Sequence, residues 1–199
     1  MKKDRDVKEL FQNITLKQVI WGAGFVFLAA FLAFFVRFYQ AEKQKEFSLR
    51  ISQAETVEDF KSILQERCPG ELRPEAEYFY AKALFEGGDF QQAFSTWESF
   101  INAHPDHFLF GRAVIGYIHS GIHLKKGGDF LDDALKRIEA KDFAWKNEAL
   151  YDMAMYYEDI RLGQKAVDIY RRIIQSGDPY WKSMAEFRLA ERQEFLADN

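Results

Sequence analysis

The chain has 199 residues with a formal net charge of −4, enough for one compact core or a short repeat array and too few for two large domains. A single cysteine, Cys68, excludes an intramolecular disulfide and four-thiolate zinc or iron-sulfur sites. Residues 40–199 hold 21 Lys/Arg against 28 Asp/Glu, a net charge of −7 that makes a poor electrostatic partner for nucleic acid or anionic lipid.

Residues 1–17 form a short polar segment with five basic side chains (Lys2, Lys3, Arg5, Lys8, Lys17). From Gln18 to Val36 no charge appears, and Lys17 and Arg37 close the run. As a helix this stretch would reach roughly 28 Å, close to the hydrocarbon thickness of a bilayer. It is apolar on every side, with Trp21 and Tyr39 suited to the two interfaces, so residues 18–39 are predicted to form a transmembrane signal anchor. A cleaved signal peptide would have a shorter apolar core and a small-x-small site after it. Four basic residues just after the span (Arg37, Lys43, Lys45, Arg50) against five before it give a slight bias, placing the N-terminus in the cytoplasm and the rest outside. Gly22, Ala29 and Ala33 can share one face of the span, which would permit a homodimer through it.

Residues 40–55 are charged and read as a helical stalk. Thr56-Val57-Glu58-Asp59 resembles a capping box opening the region 56–199, and Cys68-Pro69-Gly70 ends its first helix. Helix then follows helix, with no alternation of strand type. Ala76, Phe79, Tyr80, Ala83 and Leu84 form one stripe; Ala93, Phe94, Trp97, Phe100 and Ile101 form the next, closed by Pro105. Further pairs are predicted across residues 110–138 and 150–173, and Asp178-Pro179 opens a last helix. Helix pairs recurring at this length indicate an all-α repeat array.

The tetrapeptide Gly-Gly-Asp-Phe occurs at 87–90 and again at 127–130. A glycine can adopt the left-handed conformation that ends a helix, and an aspartate after it can cap the next. Gly88 with Asp89, and Gly128 with Asp129, are therefore predicted helix-turn caps. A cyclic-dinucleotide synthase signature would need a second acid and a β-hairpin, and neither is present in this pattern.

The array resembles the tetratricopeptide repeat. With Pro74 as first position, Ala81 falls eighth, Leu84 eleventh, Ala93 twentieth, Trp97 twenty-fourth and Pro105 thirty-second. Taken in register through its glycines, a second unit places Tyr117, Ser120, Gly121 and Leu124 fourth, seventh, eighth and eleventh; Ala154, Tyr157, Ala166 and Tyr170 match in a third. The resemblance implies an α-solenoid whose first helices line a groove for other proteins, at Tyr78, Lys82, Phe85, Ile118, Ile122, Tyr151, Met155 and Glu158. A short N-terminus, one membrane helix and such an array are also similar in architecture to the ancillary subunit family of the bacterial Sec translocon. That likeness implies a non-enzymatic scaffold in the inner membrane with its array in the periplasm; the alternative is the same array facing the cytoplasm as a receptor or adaptor.

No P-loop or dinucleotide fingerprint occurs, and no catalytic residue or cofactor is expected. All four histidines lie between 104 and 123. His119 and His123, four apart, have a spacing that metal sites use, but the intervening Ser-Gly-Ile carries no acid, and packing or solvent-facing roles are the expectation.

Overall fold

The computed structural model describes residues 16–197. Among these there are nine helices and no strand. The predicted 1–17 segment lies almost wholly outside the described residues. The chain divides into two compact units between Leu49 and Arg50.

The first unit is the helix α1 (Leu16–Gln53) up to Leu49. From Trp21 onward this helix is long and apolar enough to cross a membrane, a property that secretory signal sequences share. All side chains from Trp21 to Tyr39 are exposed, and Phe34 stacks on Phe38 one turn away at 6.5 Å between ring centres.

The second unit holds α2 (Val57–Gln65), α3 (Arg73–Glu86), α4 (Phe90–Ala103), α5 (Phe110–His123), α6 (Gly128–Glu139), α7 (Lys146–Asp159), α8 (Gly163–Gln175) and α9 (Pro179–Ala197). The local signals act as their chemistry requires. Thr56 Oγ1 accepts the Asp59 N–H at 3.2 Å while Asp59 accepts the Thr56 N–H at 2.9 Å, closing the capping box of α2. Arg50 grips Glu66, just past the end of α2, through two hydrogen bonds of 2.6 and 2.7 Å. Asp178 accepts the Tyr180 N–H at 3.0 Å at the start of α9, with Pro179 at its first position.

The pairs α3/α4, α5/α6 and α7/α8 are antiparallel hairpins around one continuous core that runs from Tyr78 to Ala185. The first helices α3, α5, α7 and α9 each touch the next. The second helices are spanned mainly by long side chains: Arg137 of α6 reaches Glu98 of α4 at 3.5 Å, Lys165 of α8 reaches Asp132 of α6 at 3.0 Å, and Arg172 pairs with Glu139. The layer whose members pack closer is the inner, concave one, so the array is a tetratricopeptide-like α-solenoid lined by first helices.

Candidate interaction groove

The register of the hairpins is set by their turns. After α3, α5 and α7 one residue takes a left-handed backbone: Gly88 (φ 82°), Lys125 (φ 52°) and Arg161 (φ 62°), thirty-seven and then thirty-six residues apart. Each sits in the same hydrogen-bonded helix end, with Asp89 N–H on Leu84 O (2.9 Å), Lys126 N–H on Gly121 O (3.0 Å) and Leu162 N–H on Tyr157 O (2.8 Å).

This corrects the second Gly-Gly-Asp-Phe. At the first copy, Gly88 makes the left-handed turn and Asp89 caps α4, accepting the Gln92 N–H at 3.0 Å. At the second copy the turn has already been made by Lys125. Gly127 is the N-cap, Gly128 opens α6 and Asp129 lies exposed in its first turn, so neither Gly128 nor Asp129 is a cap. The register through the glycines is therefore three residues out in the second unit.

Aligned on the three turns, the inner face has four rows: Glu75, Arg112 and Glu148; Tyr78, Ile115 and Tyr151; Lys82, His119 and Met155; Phe85, Ile122 and Glu158. Ile118 does not belong to them. It stands where α3 has Ala81 and α7 has Ala154, and its exposure is 0%. Tyr78 and Tyr151 keep their places in the rows but turn inward, at 8% and 7% exposure. Tyr78 packs edge-on against Trp97 at 5.0 Å and Phe100 at 6.1 Å, and Tyr151 against Tyr170 and Trp181. These three side chains hold the hairpins together and offer nothing to a partner.

The other five predicted residues are accessible. Lys82 is exposed and pairs with Glu86 one turn on at 3.3 Å. Phe85 is half-buried, its ring 5.2 Å from Phe90 and 5.3 Å from His123. Ile122 and Glu158 are half-buried, and Met155 is 37% exposed. Burial first, and then the Glu158 carboxylate, push the Tyr170 hydroxyl well above its ordinary range, so this phenol stays neutral at any physiological pH.

Five residues of the face were missed by sequence reasoning: Glu75 and Glu148 in the first row, and three on α5. His119 Nε2 lies 2.8 Å from Asp152 Oδ2, a bond between α5 and α7. Arg112 stacks over Trp145 at 4.8 Å, at one end of α5. Ile115 is half-buried between them along α5. The signal that finds them is the turn spacing, which moves the α5 row three residues back. His119 and His123 do not act together: His123 lies flat on Phe90, with ring centres 4.1 Å apart, while His119 faces Asp152. Among the described residues no three His, Cys, Asp or Glu side chains are placed to hold a metal ion.

The arrangement is thus a face of mixed apolar and charged side chains over a continuous core, which suits binding of another chain. Residues 75–107, spanning α3, the Gly88 turn and α4, match the family model of the tetratricopeptide repeat. A comparison with curated proteins finds no match.

Proposed function

We propose that the chain is a membrane-tethered scaffold that holds other proteins in the groove of its helical array, at a bacterial inner membrane with the array on the periplasmic side, in the service of protein translocation or envelope assembly. The observation that carries the scaffold reading is the inner face itself, where three successive first helices present register-equivalent side chains over one continuous core. The tetratricopeptide repeat, matched at residues 75–107, is in general a non-enzymatic protein-binding module. Tethering is supported by the uncharged run from Gln18 to Val36 inside α1, and the outward side by the excess of basic residues before it.

Two measurements test this. Because Tyr151 is a core residue, the informative groove variant is Met155→Glu, which leaves the core untouched; it should abolish co-purification of a partner while leaving the thermal midpoint within a few degrees. Sidedness is read by labelling Asn199→Cys, in a Cys68→Ser background, with a membrane-impermeant thiol reagent on cells whose outer envelope has been opened. Labelling supports the periplasmic array; protection until lysis makes the protein a cytoplasm-facing receptor or adaptor.

A further inference from the structure

The solvent-facing stripe of α7 is the half-buried Glu148 and Asp152 with the exposed Met155 and Asp159, at spacings of four, three and four residues along one helix face. Alongside it, α5 presents Arg112, Ile115, His119 and Ile122. The two helices are in direct contact and joined by the His119–Asp152 bond. Ile115, Ile122 and Met155 thus line a strip that is not fully buried, crossed at its middle by the His119–Asp152 bond and bordered on the α7 side by carboxylates.

The charges around this strip are unbalanced. Every ionisable group in the α7 stripe is an acid, and only Asp152 has an ionic partner; Glu148 and Asp159 enter no ion pair among the described residues. On α5 the permanent cation is Arg112, drawn to the Trp145 ring at one end, and on α9 Arg188 is engaged by Tyr151 and by Glu191 at 3.3 Å. On α3, Lys82 is taken by Glu86. A neutral or acidic segment laid on the strip would strip water from Glu148 and Asp159 without replacing it, and the cost of a desolvated unpaired carboxylate opposes the gain from the apolar contact. A segment carrying lysine or arginine beside its apolar side chains turns that cost into complementary pairs and gains long-range attraction as it approaches.

We infer that the strip between α5 and α7 docks a basic amphipathic segment of a partner protein, its apolar side chains on Ile115, Ile122 and Met155 and its cations on Glu148, Asp152 and Asp159. The inference rests on the scaffold reading and adds the chemistry of what is held.

The test uses the full chain in neutral detergent and three fluorescent helical peptides of about 18 residues sharing one leucine stripe, with lysine, glutamine or glutamate elsewhere. Anisotropy is compared between the wild type and Glu148→Gln/Asp152→Asn/Asp159→Asn in the same micelles, so that peptide partition into detergent cancels. The expected result is that the lysine peptide binds about tenfold tighter than the glutamine peptide and loses at least that factor in the triple variant, while Glu55→Gln/Asp142→Asn, removing two acids elsewhere, changes nothing. Equal binding of all three peptides, or binding unchanged in the triple variant, overturns the inference. If the glutamine peptide binds as well as the lysine one and Met155→Glu abolishes both, the scaffold groove stands and the basic partner falls; if no peptide responds to either groove variant, both fall.

Discussion

A methyl group added at Gly121 would lie 2.6 Å from two ring carbons of Phe130, the aromatic of the second Gly-Gly-Asp-Phe. The position corresponds to Leu84 and Tyr157 in the neighbouring hairpins, so α5 compensates for a large Ile118, where its neighbours have alanine, with a glycine one turn on. Gly121→Ala is expected to destabilise the array by about 1–3 kcal/mol through overpacking, and Phe130→Leu in the same chain should recover part of that loss, a non-additivity read by denaturant unfolding of the double-mutant cycle. His107 makes the stability of the array depend on pH. Burial, aided by His104 and opposed by Glu75, holds its imidazole below the ordinary value, and its Nδ1 accepts the Leu109 N–H at 3.3 Å. The folded chain thus keeps His107 neutral where the unfolded chain takes up a proton. Stability is lost as pH falls below about 6.5 and levels off below the folded value. The fall in thermal midpoint between about pH 7.5 and about pH 5.5 should be smaller in His107→Gln than in the wild type.

At the scale of the helix and its turn, three equivalent left-handed residues differ in chemistry. Glycine suits that backbone, whereas Lys125 (φ 52°) and Arg161 (φ 62°) hold it at a steric cost. Lys125→Gly and Arg161→Gly should each stabilise the fold by about 0.5–1 kcal/mol, and Gly88→Ala should destabilise it by about 1 kcal/mol, measurable by chemical denaturation. The same residues explain what the sequence made legible. Helices α2 to α4 could be read closely because Thr56, Gly88, Asp89 and Pro105 all stand where their local chemistry acts. The second hairpin misled because lysine carries no signal for a left-handed turn, while the visible glycines at 127 and 128 begin the next helix. Ile118 entered the predicted groove through that shift. Tyr78 and Tyr151 entered it for another reason: their rows were right, but whether a row's side chain turns inward depends on helix rotation against α4, α8 and α9, which spacing along one chain does not specify. His119 and Asp152, thirty-three residues apart, become neighbours only when α5 and α7 pack.

For the array as a whole, Arg137 ties two hairpins and a core aromatic together. It donates to Asp133 at 2.6 Å and Asn102 at 2.8 Å, reaches Glu98, and lies 5.3 Å from the centre of the Tyr117 ring. In a quasi-linear repeat protein such links carry the coupling between neighbours. Arg137→Gln should cost about 1–2 kcal/mol and broaden the unfolding transition, so that circular dichroism and tryptophan fluorescence no longer report one midpoint. The two layers are fastened differently: first helices by direct packing, second helices chiefly by flexible cationic arms. Packing is insensitive to salt, whereas exposed ion pairs weaken as the Debye length shrinks. The array therefore behaves mechanically like a fan with a stiff pivot edge and an elastic outer edge. Raising the ionic strength is expected to loosen the outer edge first, letting the span between the ends of the groove change while each hairpin stays folded.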